Sequence, residues 1–93
     1  MRLIGVIGYQ DSGKTTLASA LVQELVERGH RVGAIKHSYH KMDTRGKDTD
    51  RLKEVSAQVG FISPDESAIF FRGPRSLEEV LPHLQADIVV VEG

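Results

Sequence analysis

Gly8-Tyr9-Gln10-Asp11-Ser12-Gly13-Lys14-Thr15 matches the pattern G-x-x-x-x-G-K-[ST] at every fixed position. Its chemistry is phosphate binding. Gly8 and Gly13 let the backbone turn tightly and leave no Cβ where a phosphate must approach. Successive backbone N–H groups can then converge into an anion nest. A helix that begins at Lys14 adds unpaired N–H donors and the positive end of its dipole. Lys14 can reach the β- and γ-phosphates, and the Thr15 hydroxyl can sit on Mg²⁺. Thr16 extends the same turn. The plainer alternative, a glycine-containing strand-to-helix turn with an incidental lysine, is disfavoured by what flanks the loop. An apolar run precedes it and an amphipathic helical pattern follows,.

A second feature is an acid at the end of a β-branched run, Asp87-Ile88-Val89-Val90-Val91-Glu92-Gly93. Nucleotide hydrolases of the phosphate-loop type place a carboxylate at the tip of a strand beside the loop. There it holds Mg²⁺, directly or through water, or positions the attacking water. Alone, Glu92 would read equally well as a solvated strand end; beside a phosphate loop it reads as a magnesium partner. A third feature is the polar stretch 37–49, with His37 and His40 three residues apart and Asp43 after them. A zinc site would want four ligands, and the two other histidines, His30 and His83, lie elsewhere,. Asp43 reads better as a Mg²⁺-shell or water-orienting carboxylate. Lys47 and Arg51 read equally as phosphate or partner contacts and as solvated charges. Some dimerising ATPases carry a second lysine early in the loop; Tyr9-Gln10 offers none.

Residues 2–7 read as a strand, apolar on both faces in the middle, as a central parallel strand would be. Residues 14–28 read as a helix. Leu17, Leu21 and Leu25 form one stripe, flanked by Ala18, Val22 and Val26. Arg28 suits the C-terminal dipole, and Gly29 is placed for a left-handed cap. Residues 31–36 form a second strand, expected parallel to the first. The long stretch 37–49 then begins at a strand's C-terminal end, where α/β sheets bind ligands, and reads as a switch-like loop. Residues 49–58 suggest a short helix capped by Asp48 or Thr49, with Leu52, Val55 and Val59 on one side. Residues 59–63 and 68–72 suggest a hairpin around Pro64-Asp65. Ser76 and Glu79 have capping-box spacing, and Pro82 must end or kink the helix they open.

The totals are those of one small domain of 93 residues, with 40% hydrophobic residues and net charge −1,. That charge gives no reason to expect nucleic acid or a membrane as partner. There is no cysteine, hence neither a disulfide framework nor a thiolate metal site,. The chain opens directly on a strand pattern, so a cytoplasmic location is the expectation.

Taken together these residues resemble the MobB family, whose members take part in molybdopterin guanine dinucleotide biosynthesis. The resemblance rests on Gly13-Lys14-Thr15-Thr16, then Gly29-His30-Arg31-Val32-Gly33-Ala34-Ile35-Lys36-His37. His40 and Asp43 follow, then Gly46-Lys47-Asp48-Thr49 with Arg51, and Val91-Glu92-Gly93. The chain departs from the family pattern at Tyr39, Met42 and Arg45. It resembles the N-terminal part of a longer GTP-binding domain. The resemblance implies a three-layer α/β phosphate-loop fold, with a mainly parallel sheet and an edge hairpin. It also implies GTP as ligand or substrate, Mg²⁺ as cofactor, and weak GTP hydrolysis. As partners it implies a molybdopterin guanylyltransferase and a second copy of the chain as a homodimer. In that reading Gly8, Tyr9, Gln10, Asp11, Ser12, Gly13, Lys14, Thr15 and Thr16 hold the phosphates, and Thr15, Glu92 and Asp43 hold the metal. The catalytic set is Lys14, Glu92 and Asp43. The alternatives are a metal-insertion GTPase and a non-catalytic nucleotide-binding adaptor. A small-molecule kinase would need an arginine-rich lid that the sequence does not display.

Overall fold

A computed structural model describes residues 1–9, 12–38 and 47–93, with the backbone alone for residues 47–50. The chain forms two compact units, Met1–His40 with Leu81–Gly93, and Lys41–Val80.

The first unit is a parallel sheet of β1 (Arg2–Val6), β2 (Val32–Lys36) and β5 (Ile88–Glu92), with α1 (Lys14–Glu27) packed on it. The order is β1-β5-β2, so the last strand is inserted between the first two. Its register sets Val6 and Lys36 both level with Glu92. Hydrogen bonds from Arg2 N–H to Asp87 O (2.8 Å) and from Gly93 N–H to Val6 O (3.1 Å) seam β5 to β1 at both ends. Val89 and Val90, at 0% and 1% exposure, are the most enclosed side chains among the described residues.

The apolar run of residues 2–7 is therefore not the central strand. Among the described residues β1 pairs on one side only, and Leu3 is 49% exposed. The uniformly β-branched β5 takes the centre instead, because such a run fills space on both faces of a buried strand.

The core-facing stripe of α1 is also displaced from the leucine row. Ala18, Leu21, Val22 and Leu25 pack with Val6, Val90 and Val32, while Leu17 is 61% exposed. The packed positions follow the i, i+3, i+4, i+7 spacing of one helical face, and Leu17 lies at its margin. α1 ends as its sequence foretells. Gly29 has φ 91°, its N–H donates to Val26 O (3.0 Å), and His30 N–H donates to Leu25 O (3.2 Å). This paired bonding is a Schellman cap, which satisfies carbonyls the helix leaves open. The Arg28 guanidinium pairs with Glu24 at 2.9 Å.

The second unit contains α2 (Lys47–Val55), the hairpin of β3 (Gln58–Ile62) and β4 (Ser67–Phe71), and α3 (Leu77–Val80). The hairpin forms a sheet of its own, antiparallel, with Val59 opposite Phe70 and Gly60 opposite Ile69. Its turn is closed by Ser63 N–H donating to Glu66 O at 2.9 Å. Asp48 and Thr49 fall inside α2 rather than ahead of it. Leu52 and Val55 are exposed, whereas Lys53 and Ser56 are half-buried. The capping box forms as expected: Ser76 N–H donates to Glu79 Oε1 and Glu79 N–H to Ser76 Oγ, both at 3.2 Å. Those contacts hold the Glu79 carboxyl below its ordinary value of 4.5, chiefly through the Ser76 N–H and then its hydroxyl. Pro82 lies in a separate 3-10 turn, Leu81–His83. No helix among the described residues is long and apolar enough to cross a membrane.

Candidate phosphate and magnesium site

The site is assembled where β1 and β5 end and α1 begins. The loop leaves β1 after Val6 and turns at Ser12, whose N–H donates to Tyr9 O at 3.2 Å. It enters α1 through Gly13, at φ 84° and ψ 12°. That left-handed conformation is natural to glycine and strained for a side-chain-bearing residue. A Cβ on Gly8 would stand 2.7 Å from Ser12 Oγ, so that hydroxyl would have to turn away. Gly13 has the firmer steric reason, in its backbone conformation.

The N-terminus of α1 has no side-chain cap and no acidic residue in its first turn. Its leading N–H groups are therefore available to an anion, and no carboxylate competes for the dipole. Lys14 folds back across the loop, its Nζ donating to Gly8 O at 3.2 Å. Thr15 points the other way and donates from Oγ1 to Glu92 Oε1. That contact joins residues 77 positions apart in the chain. It exists because β5 lies beside β1 and its tip is level with Val6.

Glu92 is buried, at 7% exposure, and is the buried charged residue of the described chain. A buried carboxylate needs a hydrogen-bond donor or a cation. The Thr15 hydroxyl supplies one, and a hydroxyl plus a carboxylate is an oxygen donor set suited to Mg²⁺. The backbone around Glu92 is pinned: its carbonyl accepts from His37 N–H at 2.7 Å. Gly93 is sterically required there, because a Cβ would meet His37 Cβ at 2.9 Å and His37 O at 3.1 Å. Sequence reading passed over that requirement; the glycine after the strand-terminal acid was its signal.

Of the expected site residues, the structure brings together Gly8, Ser12, Gly13, Lys14, Thr15 and Glu92. Tyr9 and Thr16 are exposed beside them. Gln10, Asp11, His40 and Asp43 lie outside the described residues. Among the described residues no three His, Cys, Asp or Glu side chains gather into a metal cluster.

Comparison with known proteins shows the family. Residues 3–93 match the family model described as MobB, molybdopterin guanine dinucleotide synthesis protein B. A molybdopterin-guanine dinucleotide biosynthesis adapter protein of Haemophilus influenzae is 41% identical over 98% of this chain and 56% of its own length. A putative adapter protein of the same description from Methanocaldococcus jannaschii is 37% identical over 100% of this chain and 41% of its own. The crystal structure of a MobB homologue from Bacillus stearothermophilus superposes with a TM-score of 0.71 at 30% identity, covering 100% of this chain and 56% of that one. The chain thus spans about half the length of the curated relatives it matches. With a mainly parallel α/β fold and a family model that matches residues 3–93, the chain belongs to the MobB family.

Proposed function

We propose that this chain binds GTP with Mg²⁺ at the 8–16 loop and serves as a nucleotide-binding adapter in molybdopterin guanine dinucleotide biosynthesis. The observation that carries the reading is the Thr15–Glu92 contact. It puts a hydroxyl and a buried carboxylate together beside the lysine-bearing loop. The α1 N–H groups cradle the phosphates, and Lys14 leaves the Gly8 carbonyl to neutralise them. Thr15 and Glu92 would hold the metal, and Asp43 is the further acid that the sequence offers for its shell. When bound there, Mg²⁺ would offset the phosphate charge. Hydrolysis in this reading is weak, since positioning and charge neutralisation carry it without a strong general base.

The adapter role follows the relatives, whose names carry molybdopterin-guanine dinucleotide biosynthesis; the guanylyltransferase partner and the choice of guanine are what the family resemblance implies. A homodimer is part of the same reading. The exposed Ile62 and Ile69, an apolar pair on the hairpin, favour association,. Calorimetry of the chain with GTP and with ATP, in Mg²⁺, tests the proposal. GTP should bind more tightly than ATP, and Lys14→Ala should weaken GTP by at least about tenfold. Equal affinity for the two nucleotides removes the guanine assignment. Unchanged GTP affinity in Lys14→Ala removes the phosphate-loop assignment.

A further inference from the structure

Strand β2 ends beside the phosphate and magnesium site. Its register with β5 sets Lys36 level with Glu92, and Ala34 level with Val90. Side chains alternate along a strand, so residues level with one another on neighbouring strands share a face. These four residues line one concavity of about 400 Å³, together with Ala18 and Ser19 of α1. Ser19 lies one helical turn beyond Thr15, whose hydroxyl donates to Glu92,. Glu92 thus touches Thr15 and also borders a space that Lys36 shares.

The distribution of charge singles Lys36 out. The lysines and arginines of the first unit are Arg2, Lys14, Arg28, Arg31 and Lys36. Arg2 opens β1, Arg28 follows α1 and Arg31 precedes β2, so all three lie at the amino-terminal edge of the sheet. Lys14 and Lys36 are left at the carboxyl-terminal edge, where all three strands end. Lys14 is engaged by the loop through Gly8 O. Lys36 is exposed and makes no ion pair among the described residues, although Glu92 is its neighbour in register. A triphosphate carries more negative charge than one magnesium ion and one lysine cancel, and Glu92 adds to it. A free ammonium on a flexible four-carbon stem, level with Glu92, offsets that excess.

We infer that Lys36 binds the terminal phosphate of the nucleotide and makes the site distinguish a triphosphate from a diphosphate. The inference rests on the phosphate-loop reading and adds a residue to it. Lys14 and the α1 N–H groups serve the phosphates that both nucleotides carry. Lys36 serves the one that hydrolysis removes.

Calorimetry of the full chain with GTP and with GDP, each in Mg²⁺, is the test. The parent should bind GTP several-fold more tightly than GDP. Lys36→Met keeps the apolar stem and should weaken GTP by about tenfold while leaving GDP within about twofold. Lys36→Arg should restore most of the loss, and Lys14→Ala should weaken both nucleotides. Without Mg²⁺, Lys36→Met should still weaken GTP, and by the same factor in a Glu92→Gln background. Circular dichroism of each variant confirms that it is folded. The inference is overturned if folded Lys36→Met keeps the parent's ratio of GTP to GDP affinity, or if the parent has no preference for GTP. It is equally overturned if the loss vanishes in Glu92→Gln, which makes the lysine a partner of the carboxylate instead. Those outcomes leave the phosphate-loop reading standing so long as Lys14→Ala weakens GTP. Unchanged GTP affinity in Lys14→Ala removes that reading and this inference with it.

Discussion

The two units of this chain are built on different physical terms. The first has a strand hydrogen-bonded on both sides, and its Val89 and Val90 are almost wholly enclosed. Its contacts join residues far apart in sequence: β5 follows β1 by more than eighty residues yet lies beside it. The second rests on a two-stranded hairpin and two short helices, with Val59 its buried apolar residue among those described. Ile62 and Ile69 remain exposed on that hairpin. A two-stranded hairpin is marginal without something packed on it. The comparison separates a scaffold that can hold a carboxylate at a fixed place from a unit whose order depends on local caps and a few aromatic contacts.

Substitutions that strike each unit's own support sharpen that contrast. Val90→Ala removes an enclosed side chain between α1 and the sheet, and should cost about 2 kcal/mol in urea unfolding,. The same change at Val59 should release amides 58–71 to hydrogen exchange while those of β5 stay protected. If both regions lose protection together, the division into two energetic classes is wrong. Gly29→Ala puts a side chain at φ 91° in the Schellman cap and should cost about 1–2 kcal/mol,. Ser76→Ala removes one half of the second unit's capping box, and a loss of about 1 kcal/mol is expected,.

The smallest effect is a pH dependence. The carboxyl of Glu79 titrates below its ordinary value in the folded chain. Its contribution is thus present above pH 4.5 and fades as pH falls below that value through the lowered folded one,. Glu79→Gln should flatten stability between pH 5 and pH 3 relative to the parent, by a small amount because the group is exposed. A steeper acid loss in the variant would reverse the sign of this argument.

What could be read from sequence followed the same division. The phosphate loop was legible because its chemistry is local: two glycines, a lysine and a threonine at fixed spacing. Glu92 was legible because a β-branched run ending in an acid has few structural meanings beside such a loop. The Gly29 cap and the Ser76–Glu79 box were legible for the same reason, since each is complete within a few residues. The strand order was legible only in part: the acid-bearing strand was expected beside the phosphate-loop strand, and β5 does pair with β1. Residues 2–7 and 88–92 are both apolar, and pattern alone does not say which lies between two neighbours. The face of α1 was read one step off, because Leu17 belongs to the leucine row but sits at the margin of the contact with the sheet. The place of Lys36 was invisible, since it needs the β2–β5 register to set that lysine level with Glu92.

The central claim is that Thr15 and Glu92 meet to hold a metal on a bound triphosphate. GTP titrated with and without Mg²⁺ into the parent chain and into Glu92→Gln tests it most directly. Mg²⁺ should tighten GTP on the parent by at least about tenfold, and Glu92→Gln should lose most of that gain while binding metal-free GTP as before. A gain of the same size in both proteins would contradict the claim and leave the Thr15–Glu92 contact as a structural hydrogen bond.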